Sequence, residues 1–409
     1  MGDAASRERL AVTGIGIVTA AGRGVGPTLD ALRSGGRPPS PATTITSPFA
    51  ERFPVFEVAD EEFVSTARRL PGGRARRGGR LAILAAADAV EQDARARPPV
   101  APERTGVVVG TTVGGLAYAE LWTESQLGGA PGRVAERPAL RHLPLWEVAA
   151  EVARRVGARG PTITLTTACT GGAQAIAIAG DLLLSGACDV VVAGGMDVLA
   201  RVTFHGFASL GLLDQQRCRP FDAGRGGLNL GEGAAFLVLR RDAHDTDVGY
   251  LDGWSSTADA HHMTAPPPDG AGLRRAIEQA LARGGVAAHD VDWVHAHGTA
   301  TPTNDGVECG AIVRALGRTD CAVSSTKHVF GHTLGAAGAV SAVVALIAIE
   351  RGFVPGNGPI DVPDPECRCA IVPAPGVDRG VGRVLVNTMG FGGTNCVLLF
   401  SGAGREGRA

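Results

Sequence analysis

The chain has 409 residues, of which 44% are hydrophobic and 20% charged, and its net charge is −2. At roughly 100–200 residues per domain, that length holds a large core without help from disulfides or metals. The near-neutral charge excludes a general polyanion binder, and aromatics at 4% exclude a base-stacking surface. Glycine is the anomaly: its 59 copies are about twice the usual share, and without a Gly-x-y period they point to tight turns and close backbone contacts.

Taken in chain order, residues 12–18 (VTGIGIV) predict a buried strand, 19–26 a Gly-rich turn and 27–33 a short helix. Residues 38–54 read as a Pro/Ser/Thr loop. Residues 68–80 (RRLPGGRARRGGR) carry six arginines on a flexible frame, read either as a solvated loop or as a docking patch for an acidic partner. Helices are expected at 81–90, 147–156 and 174–184, and strands at 105–110, 163–166, 190–192 and 237–239. Residues 118–145 have no clear period, and Gly194-Gly195 reads as the end of a strand. The second half repeats the alternation. Helices are expected at 273–282, 308–315 and 335–349, and strands at 291–295, 321–324, 384–387 and 397–400. Alternation of this kind predicts an α/β protein with mainly buried sheets. A strand, a small-residue turn and a very apolar helix recur at 164–184 and 323–349, which suggests two similar halves.

The cysteines are Cys169, Cys188, Cys218, Cys309, Cys321, Cys367, Cys369 and Cys396. They are too sparse for a secreted disulfide scaffold, and Cys367-x-Cys369 lacks a second pair to complete a zinc site, so no metal is expected. The N-terminus lacks the basic-then-apolar pattern of a signal peptide. The apolar run 333–349 falls short of a membrane span, so a buried helix in a cytoplasmic protein is expected. Lys327 is the single lysine among 39 basic residues. A sequence that writes nearly every cation as Arg has kept one compact, titratable ammonium, which favours a functional role over chance.

Cys169 sits in TTACTGG between a strand and an apolar helix, where the positive helix end would lower a thiol pKa; the alternative is a buried structural cysteine. His297 follows a strand and precedes small hydroxyl residues. His332 lies near the N-terminus of the long apolar helix, a setting that favours a neutral imidazole, and Lys327 pushes the same way. Residues 387–395 (NTMGFGGTN) form either a plain hairpin or a bend that aims a backbone N–H at an oxyanion. One Cys and two His make a plausible set for handling a thioester.

The blocks LTTACTGG, HAHGTATPTND, STKHVFGHTLGAAGA and NTMGFGGTNC resemble the four signature blocks of the β-ketoacyl-acyl-carrier-protein synthases, and VTGIGIVT, GTTVGG, CRPFD and GEGAA fit as well. The resemblance runs from Ala11 to Phe400. It implies an α/β thiolase-like fold, two similar halves in a five-layered αβαβα arrangement, divided at 1–245 and 246–409. It implies an acyltransferase that joins an acyl group on Cys169 to a malonyl unit with loss of CO2. By the same resemblance His297 and His332 are the active-site histidines, and Lys327 supports His332 with Glu308 as its acidic partner and Asp305 alongside. Thr299, Thr301 and Thr264 hold the phosphopantetheine arm and substrate, with Met389 beside the gate residue Phe391. The backbone N–H groups of Cys169 and Phe391 form the oxyanion hole. No cofactor is implied beyond the phosphopantetheine of an acyl carrier protein. The implied partners are that carrier and either a second copy or a chain-length-factor paralogue, with neither nucleic acid nor membrane.

The sequence departs from elongating fatty-acid synthases at several points. Gly227-Leu228-Asn229 stands for the common Gly-Phe-Val, Gly171 for Ser, Met389 for Phe, and His295 for Asn or an acid. The short CRPFD loop and the Leu-Asn pair resemble ketosynthases of aryl-polyene and related highly reducing type II polyketide systems. Primary fatty-acid elongation is the alternative, and a non-catalytic chain-length-factor subunit is a second one that the presence of Cys169, His297, Lys327 and His332 opposes.

Overall fold

The computed structural model describes residues 9–59, 77–127, 144–242, 244 and 247–403. The N-terminal half contains β1 (Leu10–Thr19), β2 (Gly22–Arg23), α1 (Val25–Ser34), α2 (Arg77–Ala96), β3 (Thr105–Gly110) and α3 (Leu116–Leu127). It continues with α4 (Glu147–Val156), β4 (Thr162–Leu165), α5 (Gly171–Leu184), β5 (Val190–Asp197), α6 (Arg201–Ser209) and β6 (Gly233–Arg240). The C-terminal half contains β7 (Gly249–Ala258), α7 (Ala271–Gly284), β8 (Trp293–His295), α8 (Asn304–Leu316), β9 (Ala322–Ser324) and α9 (Lys327–Phe330). It ends with α10 (Ala337–Arg351), β10 (Phe353–Pro355), β11 (Ala370–Ile371), β12 (Gly376–Asp378), β13 (Arg383–Gly390) and β14 (Thr394–Ser401).

Strand order repeats. One half runs β4-β3-β5-β6-β1 and the other β9-β8-β13-β14-β7, and the two meet antiparallel where Leu10–Val12 of β1 pairs with β7. Within each set the first three strands are parallel and the remainder antiparallel. Helices α2 and α4 cover the outer face of the first set, α7 and α8 that of the second, and α5 with α10 fills the space between. This is the five-layered thiolase-like arrangement.

Helices α5 and α10 form that middle layer because α10 is apolar all round and α5 is so apart from Gln174 and Asp181, as helices flanked by two sheets must be. Every residue of α10 from Ala337 to Ala348 is buried. The stretch Leu334–Arg351 is long and apolar enough to cross a membrane by composition, yet 83% of that window lies inside this core. The two helices touch reciprocally near their N-termini. A Cβ on Gly172 would lie 3.0 Å from the backbone N and Cβ of Ala339; one on Gly338 would lie 2.7 Å from the same atoms of Ala173.

The sequence expectation for Gly194-Gly195 is corrected here. Both lie inside β5, which runs on to Asp197, because a Cβ on Gly194 would lie 2.0 Å from the carbonyl oxygen of Ala235 on neighbouring β6. Strand β7 and helix α6 have no counterpart in the sequence reading; the strand's Gly, Asp and Ser residues mask its period (GYLDGWSSTA). Of the arginine-rich segment, residues 68–76 lie outside the described residues, and Arg77 and Arg80 open α2 rather than a loop.

Gly338→Ala tests the crossing. Helix propensity alone would favour alanine by about 1 kcal/mol, but overpacking between two fixed helices costs about 1–3 kcal/mol. A net loss in urea unfolding free energy is expected; a gain would mean the helices can separate freely.

Candidate active site

Cys169 sits at the end of β4's connection, in a turn of 3₁₀ helix (Ala168–Thr170) that feeds α5. His332 precedes a second such turn (Leu334–Ala336) that feeds α10. Ala168 and Leu334 occupy equivalent places and share a left-handed backbone, φ 49° and 50°. Each such residue costs on the order of 1–3 kcal/mol, a strain that a functional site retains and a plain connection would shed. The repeated turn and the helix crossing bring the Nε2 of His332 to 3.1 Å from the Cys169 sulfur. The His297 ring stands edge-on to that of His332, 5.3 Å between centroids. One donor atom from each of Cys169, His297 and His332 falls within 4.8 Å of the others.

The protonation of this trio follows from its contacts. The backbone N–H of Leu334 donates to His332 Nδ1 at 3.3 Å, so Nδ1 carries the lone pair. Burial first, and then the Lys327 ammonium, hold both imidazoles well below the ordinary histidine range, so they are neutral. A neutral His332 with an acceptor at Nδ1 carries its proton on Nε2, facing the sulfur. Three convergent donors match the ligand number of a transition-metal site. A proton on Nε2 suits a hydrogen-bond donor instead. Burial pushes the Cys169 thiol up to about 12, against Lys327 and the backbone N–H groups of Phe391 and Cys169 itself, which pull it down. The expected net lowering by the helix end is therefore overturned: in the dry site, desolvation outweighs the attraction.

Lys327 is buried and donates to the carbonyl of His297. Burial lowers its pKa, and Glu308 is the first group to oppose that shift. No ion pair joins the two, which corrects the expected direct partnership. Glu308 instead accepts the N–H groups of His297 at 2.7 Å and Gly298 at 2.8 Å. Asp305, one turn earlier on α8, accepts the N–H of Phe221 at 2.8 Å and of Ala300 at 3.2 Å. Both of those residues have positive φ, 68° and 62°. Burial raises the pKa of both carboxyls.

A cleft of about 620 Å³ opens onto the trio. Thr264, Thr299, Thr301, Met389 and Phe391 line it together with Cys169, His297 and His332. The Thr299 and Thr301 hydroxyls are 2.8 Å apart. Phe391 sits at the tip between β13 and β14, so residues 387–395 form a hairpin, and the Phe391 N–H pulls the Cys169 thiol pKa down. Its ring stacks on Phe207 of α6 at 5.5 Å. Lys327, Glu308 and Asp305 stand behind this wall.

Sequence reasoning missed Asp197. Its fully buried carboxylate accepts Thr111 Oγ1 at 2.7 Å, Val113 N–H at 2.8 Å and Gly335 N–H at 2.6 Å, which ties the turn after His332 to the end of β3. Burial raises its pKa to about 6. A lone acid closing the apolar run VVVAGGMD was the available signal. Arg77 is not free for an acidic partner: its guanidinium lies 2.7 Å from the fully buried Glu232.

The family description "Beta-ketoacyl synthase, N-terminal domain" fits residues 7–245, and "Beta-ketoacyl synthase, C-terminal domain" fits residues 248–361. The chain belongs to the beta-ketoacyl synthase family, acyltransferases that carry out a Claisen condensation. It is 34% identical to the "Putative polyketide beta-ketoacyl synthase 1" of Streptomyces cyaneus, over 97% of this chain and 99% of that protein. It is equally 34% identical to the "3-oxoacyl-[acyl-carrier-protein] synthase 2" of a Synechocystis species, over 96% and 98%. Among solved structures it is similar to "The ishigamide ketosynthase/chain length factor", with TM-score 0.88, 31% identity, and 97% of this chain and 100% of that one covered.

The lowered histidine pKa values set a pH test. A histidine in the ordinary range would charge near ~6.5. Here the neutral donors persist below that, so CO2 release from a malonyl thioester should be flat from about pH 8 to 6. Lys327→Ala removes one downward push, so an acid limb should move up toward neutral. An inflection near 6.5 in the unsubstituted enzyme would refute the assignment.

Proposed function

We propose that this chain is the ketosynthase subunit of a type II polyketide system, extending an acyl or polyene chain by two carbons with Cys169 as nucleophile. The observation that carries the reading is the convergence of the Cys169 sulfur with two neutral imidazoles. The acyl group moves from a carrier-protein thiol to Cys169, and the phosphopantetheine arm lies along Thr299 and Thr301, with Thr264 and Met389 beside it. A malonyl carrier then enters, and its thioester oxygen accepts from His297 and His332. The C–CO2 bond breaks, its electron pair becomes an enolate held by those donors, and the carbon attacks the acyl carbonyl. The N–H groups of Cys169 and Phe391 take the oxyanion, which collapses and expels the Cys169 thiolate. Lys327, Glu308 and Asp305 act as positioning residues. The substrates are carried in on the carrier's phosphopantetheine and no other group enters these steps. The division into halves at 1–245 and 246–409, a cytoplasmic location, and pairing with a second copy or a chain-length-factor paralogue belong to the same proposal.

Primary fatty-acid elongation is the second reading, favoured by the equal identity to the Synechocystis synthase. Mass spectrometry of acyl-Cys169 formed from the cognate carrier separates the two: an unsaturated or keto-bearing chain supports the first, and a saturated chain the second. Cys169→Ala should abolish self-acylation in a folded protein. His297→Ala and His332→Ala should keep partial acylation and lose CO2 release by ~10²–10³, the scale of one oxyanion donor. Acyl label on another cysteine, or undiminished CO2 release, would overturn the roles.

A further inference from the structure

On the face of α8 away from the cleft, the fold gathers cysteines that the sequence scatters. The Cys309 thiol is fully buried, and the neighbouring Cys367 and Cys369 thiols both push its pKa up. The Cys369 thiol also donates to the carbonyl oxygen of Cys309 at 3.5 Å. Cys321 lies beside Cys369 one position before the parallel pair Ala322 and Ala370. All are reduced thiols. They border a second cavity of about 980 Å³, lined by Cys367 and Cys369 among Phe221, Ile360 and Ile371, and Cys369 is partly exposed there.

Two chemistries suit clustered thiols, and the spacing decides between them. A metal needs several sulfurs converging on one point. Among the described residues, Cys169, His297 and His332 are the group whose donor atoms lie within 4.8 Å of one another, and these cysteines are not such a group. Cys309 instead has Cys367 and Cys369 as neighbours without the three converging as a group. That arrangement suits pairwise chemistry, in which one thiol resolves another. Disulfide formation needs only two sulfurs on neighbouring stretches of backbone, and the Cys369 sulfur lies 3.5 Å from the Cys309 carbonyl oxygen.

We propose that Cys369 and Cys309 form a reversible thiol–disulfide site that responds to a peroxide. The Cys369 thiolate attacks the peroxide O–O bond, giving a sulfenic acid and, after protonation, water. The Cys309 sulfur then attacks the Cys369 sulfur and the S–O bond breaks. The expelled hydroxide takes the Cys309 proton and leaves as a second water. Two thiols are oxidised by two electrons, and hydrogen peroxide is reduced to two waters. A dithiol reverses the step. Transient disulfides of this kind are compatible with a reducing compartment. The bond would staple α8 to the segment before β11. Cys309 follows directly on Glu308, whose carboxylate holds the His297 and Gly298 N–H groups.

Tryptic mapping tests this on the full chain, because Arg314, Arg351 and Arg368 place Cys309, Cys321, Cys367 and Cys369 on four separate peptides. The reduced protein is treated with hydrogen peroxide, alkylated and digested without reductant. The expected product is a linked pair of the Cys309 and Cys369 peptides, dissolved by dithiothreitol, with Cys188 and Cys396 still alkylated. Cys369→Ser should remove the link and leave Cys309 alkylated, and Cys188→Ser should retain it. Should Cys369→Ser fail to fold, the map of the unsubstituted chain decides alone. A link to Cys367 or Cys321, over-oxidation of Cys369 with Cys309 free, or protection of the thiols by added zinc would each overturn the proposal.

Discussion

The site depends on how closely α5 and α10 approach. Each helix begins with the same strained turn, and each carries a Gly-Ala step, Gly172-Ala173 or Gly338-Ala339, set against the other. Backbone against backbone at that crossing leaves no room for a methyl group on either glycine. The sulfur at one helix start and the imidazole just before the other are therefore held in hydrogen-bond contact by the packing of the middle layer. Neither side chain has to reach. A wider crossing would separate the two without disturbing either half's own sheet.

The two turns are related by the repeat but serve different ends. Cys169 on the first turn is matched by Gly335 on the second, the third residue after His332. The N–H of Gly335 ends on Asp197, at the tip of β5, and the N–H of Phe391, just past the tip of β13, pulls the Cys169 thiol pKa down. One copy is therefore anchored by a carboxylate, while the equivalent position of the other carries the Cys169 thiol. Asp305 and Glu308 do for the His297–Thr301 loop what Asp197 does for the His332 turn. All three are fully buried acids that collect backbone N–H groups from loops that cannot form ladders of their own. Such groups would otherwise lie unpaired in the interior at a cost of about 1–3 kcal/mol each.

Much of this was legible beforehand because periodicity and punctuation carry it. The strand 105–110 and the helix 147–156 coincide with β3 and α4, since each is bounded by clear breakers. The trio of Cys169, His297 and His332 was legible from the resemblance of the blocks that carry them to the family's signature blocks. Illegible were the features that depend on what packs against a residue. Gly194-Gly195 reads as the end of a strand in isolation and becomes strand interior only because β6 lies against it. Glu308 reads as a partner for the lone lysine, yet its fixed place on α8 directs it to two backbone N–H groups. Cys309 is some sixty residues from Cys369, and only the parallel pairing of β9 with β11 and the seat of α8 bring them together.

The lone lysine ties these strands of argument together. Its ammonium is buried where burial disfavours charge, and Glu308, not in contact but close enough to act through space, is the first group that sustains it. From that position one cation acts in two directions. It pulls the Cys169 thiol toward the thiolate, and it pushes His297 and His332 toward the neutral form. In the proposed mechanism the nucleophile must be ionised to attack, whereas an imidazole that is to steady an enolate as a neutral N–H donor must stay uncharged. A single positive charge meets both demands because it acts on an acid and on two bases alike, favouring loss of a proton from each. A guanidinium would carry the same charge, but as a planar fork with five donors it needs acceptors in its own plane. Lys327 has the one carbonyl of His297 and little else, a site shaped for a point charge. In a chain that otherwise writes its cations as arginine, that shape is the physical reason one lysine remains.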